Sequence, residues 1–413
     1  MAEVKPDIQT VAKIKVIGVG GSGGNAVNRM IQSKIRGVEF IAVNTDVQAL
    51  HHSHASVKVH IGKAATRGLG AGMDPESGRR AAEESLTELK DIVKGADMVF
   101  VTCGLGGGTG TGAAPLIAEL SREAGALTVA VVTKPFEFEG AIRRSIADVG
   151  WRELAERVDT IITIPNDRVM QIIDKKTSLL EAFQIVDDVL RQGVQGISEL
   201  ITIPGLVNVD FADVRTIMAG QGTALMGIGK GTGENRAVVA AKAAVASPLL
   251  EISIDGARGI LFTVTGGNSL GMHEVSEAAK VITGSSAPDA KVIWGNVIDE
   301  TLKDEVRVTV IATGFDDAVR PALREARTAF LQQPTLPGGD RRKEPAKMSG
   351  LFHEVQRSER ERPFLSKPIM PEEPAPEFTI PTMSKASNVP PAKQPLTEEE
   401  ELEIPAFIRK KML

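Results

Sequence analysis

The sequence predicts an α/β protein with a Rossmann-like parallel sheet, a long central helix, a second α+β domain with a mixed sheet, and a disordered C-terminal tail. Three observations carry that prediction. Strand-like apolar runs alternate with helical patterns from residue 11 to about 170, the order that builds a parallel sheet covered on both faces. Two of the strand–helix junctions are glycine-rich loops, Gly18–Asn25 and Gly104–Gly112. After Phe315 the composition shifts. Thirteen of the 22 prolines fall in 318–401, among many charges and few β-branched residues, so this stretch buries too little apolar area to offset its ordering entropy.

The elements follow in order. Strands are expected over 13–18, 38–44, 97–103, 127–133 and 159–164, and helices over 24–35, 76–93, 113–124, 140–156 and 166–174. Pro115 is placed in the first turn of its helix, where a missing N–H costs nothing. From Ser178 to about Gln195 a long helical pattern places Leu180, Phe183, Val186, Val189 and Leu190 at mixed helical spacings. Beyond it, strands at 258–265, 290–296 and 305–313 and a helix at 272–282 form the second domain. The expected division is a flexible N-terminus (1–10), a ligand-binding domain (11–177), a central helix and following loop (178–214), the α+β domain (215–316), a linker (317–401) and a terminal peptide (402–413).

Composition narrows the classes. The chain has 413 residues, enough for two domains and a tail, with 42 % hydrophobic and 24 % charged residues. Net charge is −5 with no long basic run, which argues against a nucleic-acid surface. The single cysteine, Cys103, forms no internal disulfide and fits a reducing cytoplasm; at the end of an apolar strand it reads as a small core residue. Met1–Thr10 is too polar for a signal peptide, and no stretch approaches the roughly 18 apolar residues of a membrane span. His51, His52, His54 and His60 cluster without a neighbouring cysteine and read as a solvated loop, so no metal site is expected from protein ligands.

The glycine loops carry the chemistry. Residues 106–112 hold five glycines and two threonines between the strand-like Asp97–Cys103 and a helix. Bare backbone N–H groups at a helix N-terminus make an anion site, and the hydroxyls of Thr109 and Thr111 add donors. Gly18, Gly20 and Gly23 match G-x-G-x-x-G, with Asp46 about where a dinucleotide ribose would need an acid. A dinucleotide-binding oxidoreductase is therefore the alternative reading. A dinucleotide turn needs one such loop, whereas two suit the longer phosphate chain of a nucleoside triphosphate. No G-x-x-x-x-G-K-[ST] is present.

Gly106–Gly112 is identical to the tubulin-superfamily signature, and with Gly20–Asn25 before it the chain resembles the bacterial-type FtsZ cell-division GTPases from about residue 11 to 316 and again in the last dozen residues. That resemblance implies GTP and GDP as ligands, with Mg²⁺, and a nucleotide site drawn from many segments. Gly20, Gly21, Ser22, Gly23, Gly24, Gly104, Gly107, Gly108, Thr109, Gly110 and Thr111 would cradle phosphate. Ala71 and Gly72, in Thr66–Gly72, would meet the γ-phosphate; Asn25 and Arg29 would lie on the ribose and base side, Glu139 and Arg143 would contact the ribose and phosphate region, and Thr133 and Pro135 would also line the nucleotide site. Asn166 and Asp187 would read the guanine edge, with Phe183 stacked on the base. Asp187 suits that role because adenine offers no donor pair to a carboxylate. Asn208, Asp210 and Asp213 would be catalytic, entering the pocket of the next subunit so that hydrolysis completes in trans within a head-to-tail filament. Leu402–Leu413 matches the family's terminal peptide and implies membrane-tethering and regulatory division partners at a cytoplasmic division site beneath the inner membrane.

Overall fold

The computed structural model describes residues 12–315 except 172, 174, 175, 203–208, 249, 251 and 252, and these fall in one compact unit, Met1–Thr335. The expectations for 1–10, 317–401, 402–413 and Asn208 lie outside the described residues. The strands are β1 (Ile14–Val19), β2 (Val38–Asn44), β3 (Val57–His60), β4 (Met98–Gly104), β5 (Leu127–Lys134), β6 (Thr160–Pro165), β7 (Gly222–Thr232), β8 (Gly259–Gly266), β9 (Lys291–Ile298) and β10 (Glu305–Thr313). The helices are α1 (Gly20–Gln32), α2 (Val47–His52), α3 (Lys63–Thr66), α4 (Pro75–Glu84), α5 (Leu86–Val93), α6 (Thr109–Glu123), α7 (Ala141–Ala155), α8 (Asn166–Val169), α9 (Leu179–Thr202), α10 (Phe211–Met218), α11 (Arg236–Val245) and α12 (Met272–Thr283).

The first six strands are parallel in the order β3-β2-β1-β4-β5-β6, which reverses direction of growth between β1 and β4. A doubly wound sheet holds its ligand at that crevice, outside the strand C-termini. Both faces are buried, and the side chains divide by the two-residue period of the strands. Val16, Phe100, Val129, Val131 and Ile162 face a core shared with α1 and α9. Ile17, Val99, Val101, Ala130 and Val132 face the opposite core, with α4, α5, α6 and α7.

β7 continues this sheet beside β6 and turns its other edge to the antiparallel β10, so that β7-β10-β8-β9 extend one ten-stranded sheet. The second half is a mixed sheet with α11 and α12 on one face. Neither β7 nor α11 was legible in the residues. β7 carries alternate glycines because α11 lies directly on it: a Cβ at Gly227, Gly229 or Gly231 would come within 2.0, 1.9 or 2.0 Å of a carbonyl oxygen of α11.

Other boundaries also shift. The helices expected to start at 24 and 113 begin at Gly20 and Thr109, so the loop glycines are themselves the first helical turns. Pro115 consequently sits inside α6 rather than in its first turn. The helix expected over 76–93 divides at Ser85, whose buried hydroxyl accepts the Gly62 N–H at 3.2 Å instead of serving a continuous helix. α9 extends to Thr202, 24 residues or about 36 Å, and crosses the sheet from the strand C-terminal edge to the N-terminal edge.

Candidate functional site

Three loops meet at the switch point. The Gly20 backbone, at φ +73°, carries the chain from β1 into α1, and a Cβ there would lie 3.0 Å from the Gly110 nitrogen. A Cβ on Gly104 would meet Ser22 Oγ at 2.7 Å, and one on Gly108 would meet the Ala71 Cβ at 2.8 Å. The first loop, the 104–112 loop and the Thr66–Gly72 loop are thus in mutual contact. Neither α1 nor α6 has a side-chain N-cap, so the N–H groups of both first turns remain available to an anion.

The glycines separate by what surrounds them. Gly18 and Gly23 permit close backbone approach: added Cβ atoms would lie 2.4 Å from Gly23 O and 2.3 Å from Thr102 O. Gly112 and Gly78 do the same between α4 and α6, at 2.0 Å from Pro75 O and 2.4 Å from Gly108 O. Gly21, Gly24, Gly72 and Gly107 face open space, with no atom within 4 Å of an added Cβ. At these four positions the loop backbone is left uncovered.

The far side of the groove combines an aromatic shelf with polar groups that lack protein partners. Phe136 is buried, stacks on the exposed Phe138 at 5.0 Å and meets Phe183 edge-on at 5.5 Å. Phe183 keeps 40 % of its surface exposed, leaving a face for a planar ligand. One turn later on α9, burial pushes the Asp187 carboxyl up to about 6, opposed by the nearby Arg29 guanidinium. Asn166, 6 % exposed, has an Oδ1 without a partner, and the Arg143 Nε is likewise buried and unpaired. Buried polar atoms in this state are satisfied by a ligand or by ordered water. Arg143 pairs with Glu139, whose Oε1 accepts the Phe136 N–H at 2.9 Å. A Cβ on Gly106 would lie 2.8 Å from the Arg143 Cγ, so this arginine covers the 104–112 loop. Thr133 and Pro135 pack beneath it: the Leu105 N–H donates to Thr133 O at 2.9 Å, and the Pro135 ring would stand 3.3 Å from that same added Cβ. The contacts thus link Gly20 and Ser22 to the 104–112 loop, that loop to Ala71 and Arg143, and Phe136 to Phe183, while Asp187 lies near Arg29.

Asp167 escaped sequence reasoning. Its Oδ1 accepts the Glu137 N–H at 2.9 Å and Arg144 lies 3.8 Å from both acids, which fixes the 135–140 loop against Asn166. The adjacent Arg143-Arg144 pair was its one sequence signal. Asp46, which fits a dinucleotide ribose by spacing, caps α2 instead: its Oδ1 accepts from Gln48 N and Ala49 N at 2.8 and 3.2 Å.

The two described acids assigned to catalysis are elsewhere. Asp210 caps α10, accepting the Asp213 N–H at 2.8 Å, and both side chains are exposed. Thr202, just before this segment, donates to Arg36 O ahead of β2, and Thr160, the first residue of β6, donates its hydroxyl to Met218 O at the end of α10. The segment is thereby held at the strand N-terminal edge, across the sheet from the glycine loops.

The tubulin/FtsZ family GTPase domain matches residues 13–174, and the FtsZ family C-terminal domain matches residues 222–316. An empty FtsZ dimer from M. jannaschii is 47 % identical, with a TM-score of 0.72 over 75 % of this chain and 90 % of that one. The chain belongs to the FtsZ family of the tubulin superfamily. A tryptophan-to-tyrosine mutant of the M. jannaschii FtsZ is 46 % identical, again with a TM-score of 0.72, over 75 % and 93 % of the two chains. The GDP-bound CetZ1 monomer of Haloferax volcanii, at 22 % identity and a TM-score of 0.66 over 78 % of this chain and 100 % of its own, shares the fold. As an FtsZ-family member the chain is a cytoskeletal GTPase of the cell-division class and binds guanine nucleotide. Among the described residues, no helix is long and apolar enough to cross a membrane.

Proposed function

We propose that this chain polymerises head to tail into the filaments of the division ring, and that each copy completes the GTP site of its neighbour. The observation that carries this reading is the position of Asp210 and Asp213, exposed and on the edge of the sheet opposite the glycine loops. Within one copy these acids cannot reach the phosphates; in a head-to-tail pair one edge meets the other. The exposed Leu69, Phe138 and Ile142, on or beside the cradle loops, supply apolar surface for such a contact. Two relatives were solved in assembled form, the FtsZ dimer of M. jannaschii and a CetZ2 protofilament of Haloferax volcanii bound to GTPγS.

The residues present fit GTP. Gly20–Gly24 and Gly107–Thr111 would hold the phosphates through backbone N–H groups, and Ala71 and Gly72 would meet the γ-phosphate. Arg29, Glu139 and Arg143 would hold the ribose side, with Thr133 and Pro135 as its floor. Asp187 and Asn166 would take the guanine edge against Phe183. Asp210 and Asp213 of the next copy would polarise the attacking water, with Asn208 helping to hold the nucleotide end. Catalysis on this reading is positioning plus electrostatic stabilisation of phosphoryl transfer. Mg²⁺, held through the phosphates, would neutralise developing charge. Among the described residues no group of three or more His, Cys, Asp or Glu forms a cage, and a nucleotide-bound Mg²⁺ requires none. Loss of the γ-phosphate contacts would then loosen the filament. The terminal peptide 402–413 would recruit membrane-tethering and regulatory division proteins.

The test is light scattering of the purified chain with GTP, GDP and ATP, with phosphate release measured in the same samples. Assembly and phosphate release with GTP alone are expected. Phosphate release independent of protein concentration, without assembly, would overturn the shared-site reading.

A further inference from the structure

Thr45 is fully buried, directly after β2, at the edge where the three loops converge. Its hydroxyl lies 2.6 Å from the hydroxyl of Thr109, 64 positions away. The Thr66 hydroxyl, at the start of the Thr66–Gly72 loop, donates to Gly62 O at 3.0 Å and also lies 3.4 Å from the Thr45 carbonyl oxygen. The backbone extends the link: the Val47 N–H donates to Gly68 O at 3.2 Å, and Asp46 pairs with Leu69 in an antiparallel bridge. Residues 44–47 therefore join the signature loop on one side to the Thr66–Gly72 loop on the other.

The chemistry gives that joint a direction. Two hydroxyls 2.6 Å apart share one hydrogen bond, in which one donates and the other accepts. An ionised phosphate oxygen only accepts. For Thr109 to donate to phosphate, its Oγ1 must be the acceptor in the buried pair, and Thr45 must be the donor. We propose that Thr45 is a positioning residue for GTP turnover: its hydroxyl donates to Thr109 Oγ1, turning the Thr109 hydrogen toward the phosphates, while the backbone bonds of Asp46 and Val47 beside it hold the Thr66–Gly72 loop, so that the signature loop and the γ-phosphate loop respond together. The inference rests on the reading of Thr66–Gly72 as the loop that meets the γ-phosphate.

The test uses the full chain with Thr45→Val, which removes the hydroxyl at nearly constant volume, and Thr45→Ser, which keeps it. Affinities for GTP and GDP are measured by competition with a fluorescent GDP analogue, and phosphate release at saturating GTP. Thr45→Val is expected to lower the GTP-over-GDP affinity ratio and phosphate release by roughly fivefold, the scale of one buried hydrogen bond, and Thr45→Ser to restore both within about twofold. In a Thr109→Val background, Thr45→Val should change little further, because the two act as one unit. An equal loss of GTP and GDP affinity would reveal a purely structural role and overturn the proposal, as would Thr45→Ser behaving like Thr45→Val. If Thr45→Val fails to fold, Thr45→Ala removes the same hydroxyl and should lower the same ratio; an unchanged ratio in that variant overturns the proposal. A wild-type chain that assembles with GTP alone while Thr45→Val matches it overturns this inference only, whereas a wild type indifferent to the γ-phosphate overturns the functional reading beneath it.

Discussion

Asp187 ionises late because its carboxyl is held away from water, and the guanine contact proposed for it needs it ionised. Burial raises it from 3.8 to about 6, so in the free protein the neutral form dominates below that value. A carboxylate, not a carboxylic acid, accepts from the guanine N1–H and amine. GTP and GDP affinity is therefore expected to rise as pH climbs through about 6, and Asp187→Asn should flatten that dependence; fluorescence titrations near pH 5.5 and 7.5 check both. The stability of the free protein runs the other way. A raised acid favours the fold below its unfolded value of 3.8, and that contribution disappears as pH rises through about 6. At neutral pH, Asp187→Ala should weaken GTP by about 1–3 kcal/mol while leaving ATP binding weak, measured by competition.

At the scale of elements, the glycines that look alike in sequence do two jobs. Gly112→Ala would place a Cβ 2.0 Å from Pro75 O and force α4 from α6. A loss of about 1–3 kcal/mol or more is expected, read as a lowered Tm without nucleotide. Gly107→Ala meets no atom within 4 Å, so its Tm should match the wild type while nucleotide affinity falls, because the methyl enters the groove. A Gly107→Ala chain with normal GTP affinity would show that the bare surface is not the cradle. The same reasoning explains why β7 was hidden. Gly227, Gly229 and Gly231 resemble turn residues by composition, and only contact with α11 makes them strand residues. Ser85 likewise reads as mid-helix until its bond to Gly62 is seen.

At the scale of the whole molecule, the sheet separates the glycine loops from Asp210 and Asp213, the two proposed half-sites. Asp213→Ala should bind GTP normally and lose most hydrolysis. Mixing it with a Gly107→Ala chain should restore part of the activity, since one intact half-site forms between the two; phosphate release in the mixture above the sum of the separate samples is the readout. No recovery in mixtures that still co-assemble would count against catalysis in trans. Deleting 402–413 should leave GTPase activity and assembly nearly intact while abolishing recruitment to tethering partners in a sedimentation assay. If the 84 residues of 318–401 form the linker that the composition predicts, a flexible chain of that length would span roughly 50 Å, enough to reach a partner. Loss of assembly on truncation would place the peptide in the folded core instead.

Local chemistry is what the sequence by itself determined. A glycine run between a strand and a helix has few alternatives to an anion site, and the identity of residues 106–112 was enough to name the superfamily. Strand and helix alternation likewise announced the parallel sheet, because each residue's burial follows a short period. Long-range proximity was decided only by the tertiary structure. Ala71 against Gly108, Thr45 against Thr109 and Asp167 against Glu137 are each separated by 30 to 64 positions or nearly so, and no local pattern encodes such pairs. The opposition of Asp210 to the glycine loops depends on α9 crossing the whole sheet, about 36 Å for its 24 residues. Spacing along the chain shows that the acids and the glycine loops are separate segments; the length and course of one helix put them on opposite edges of the sheet, which is why the proposed shared site needs a second copy.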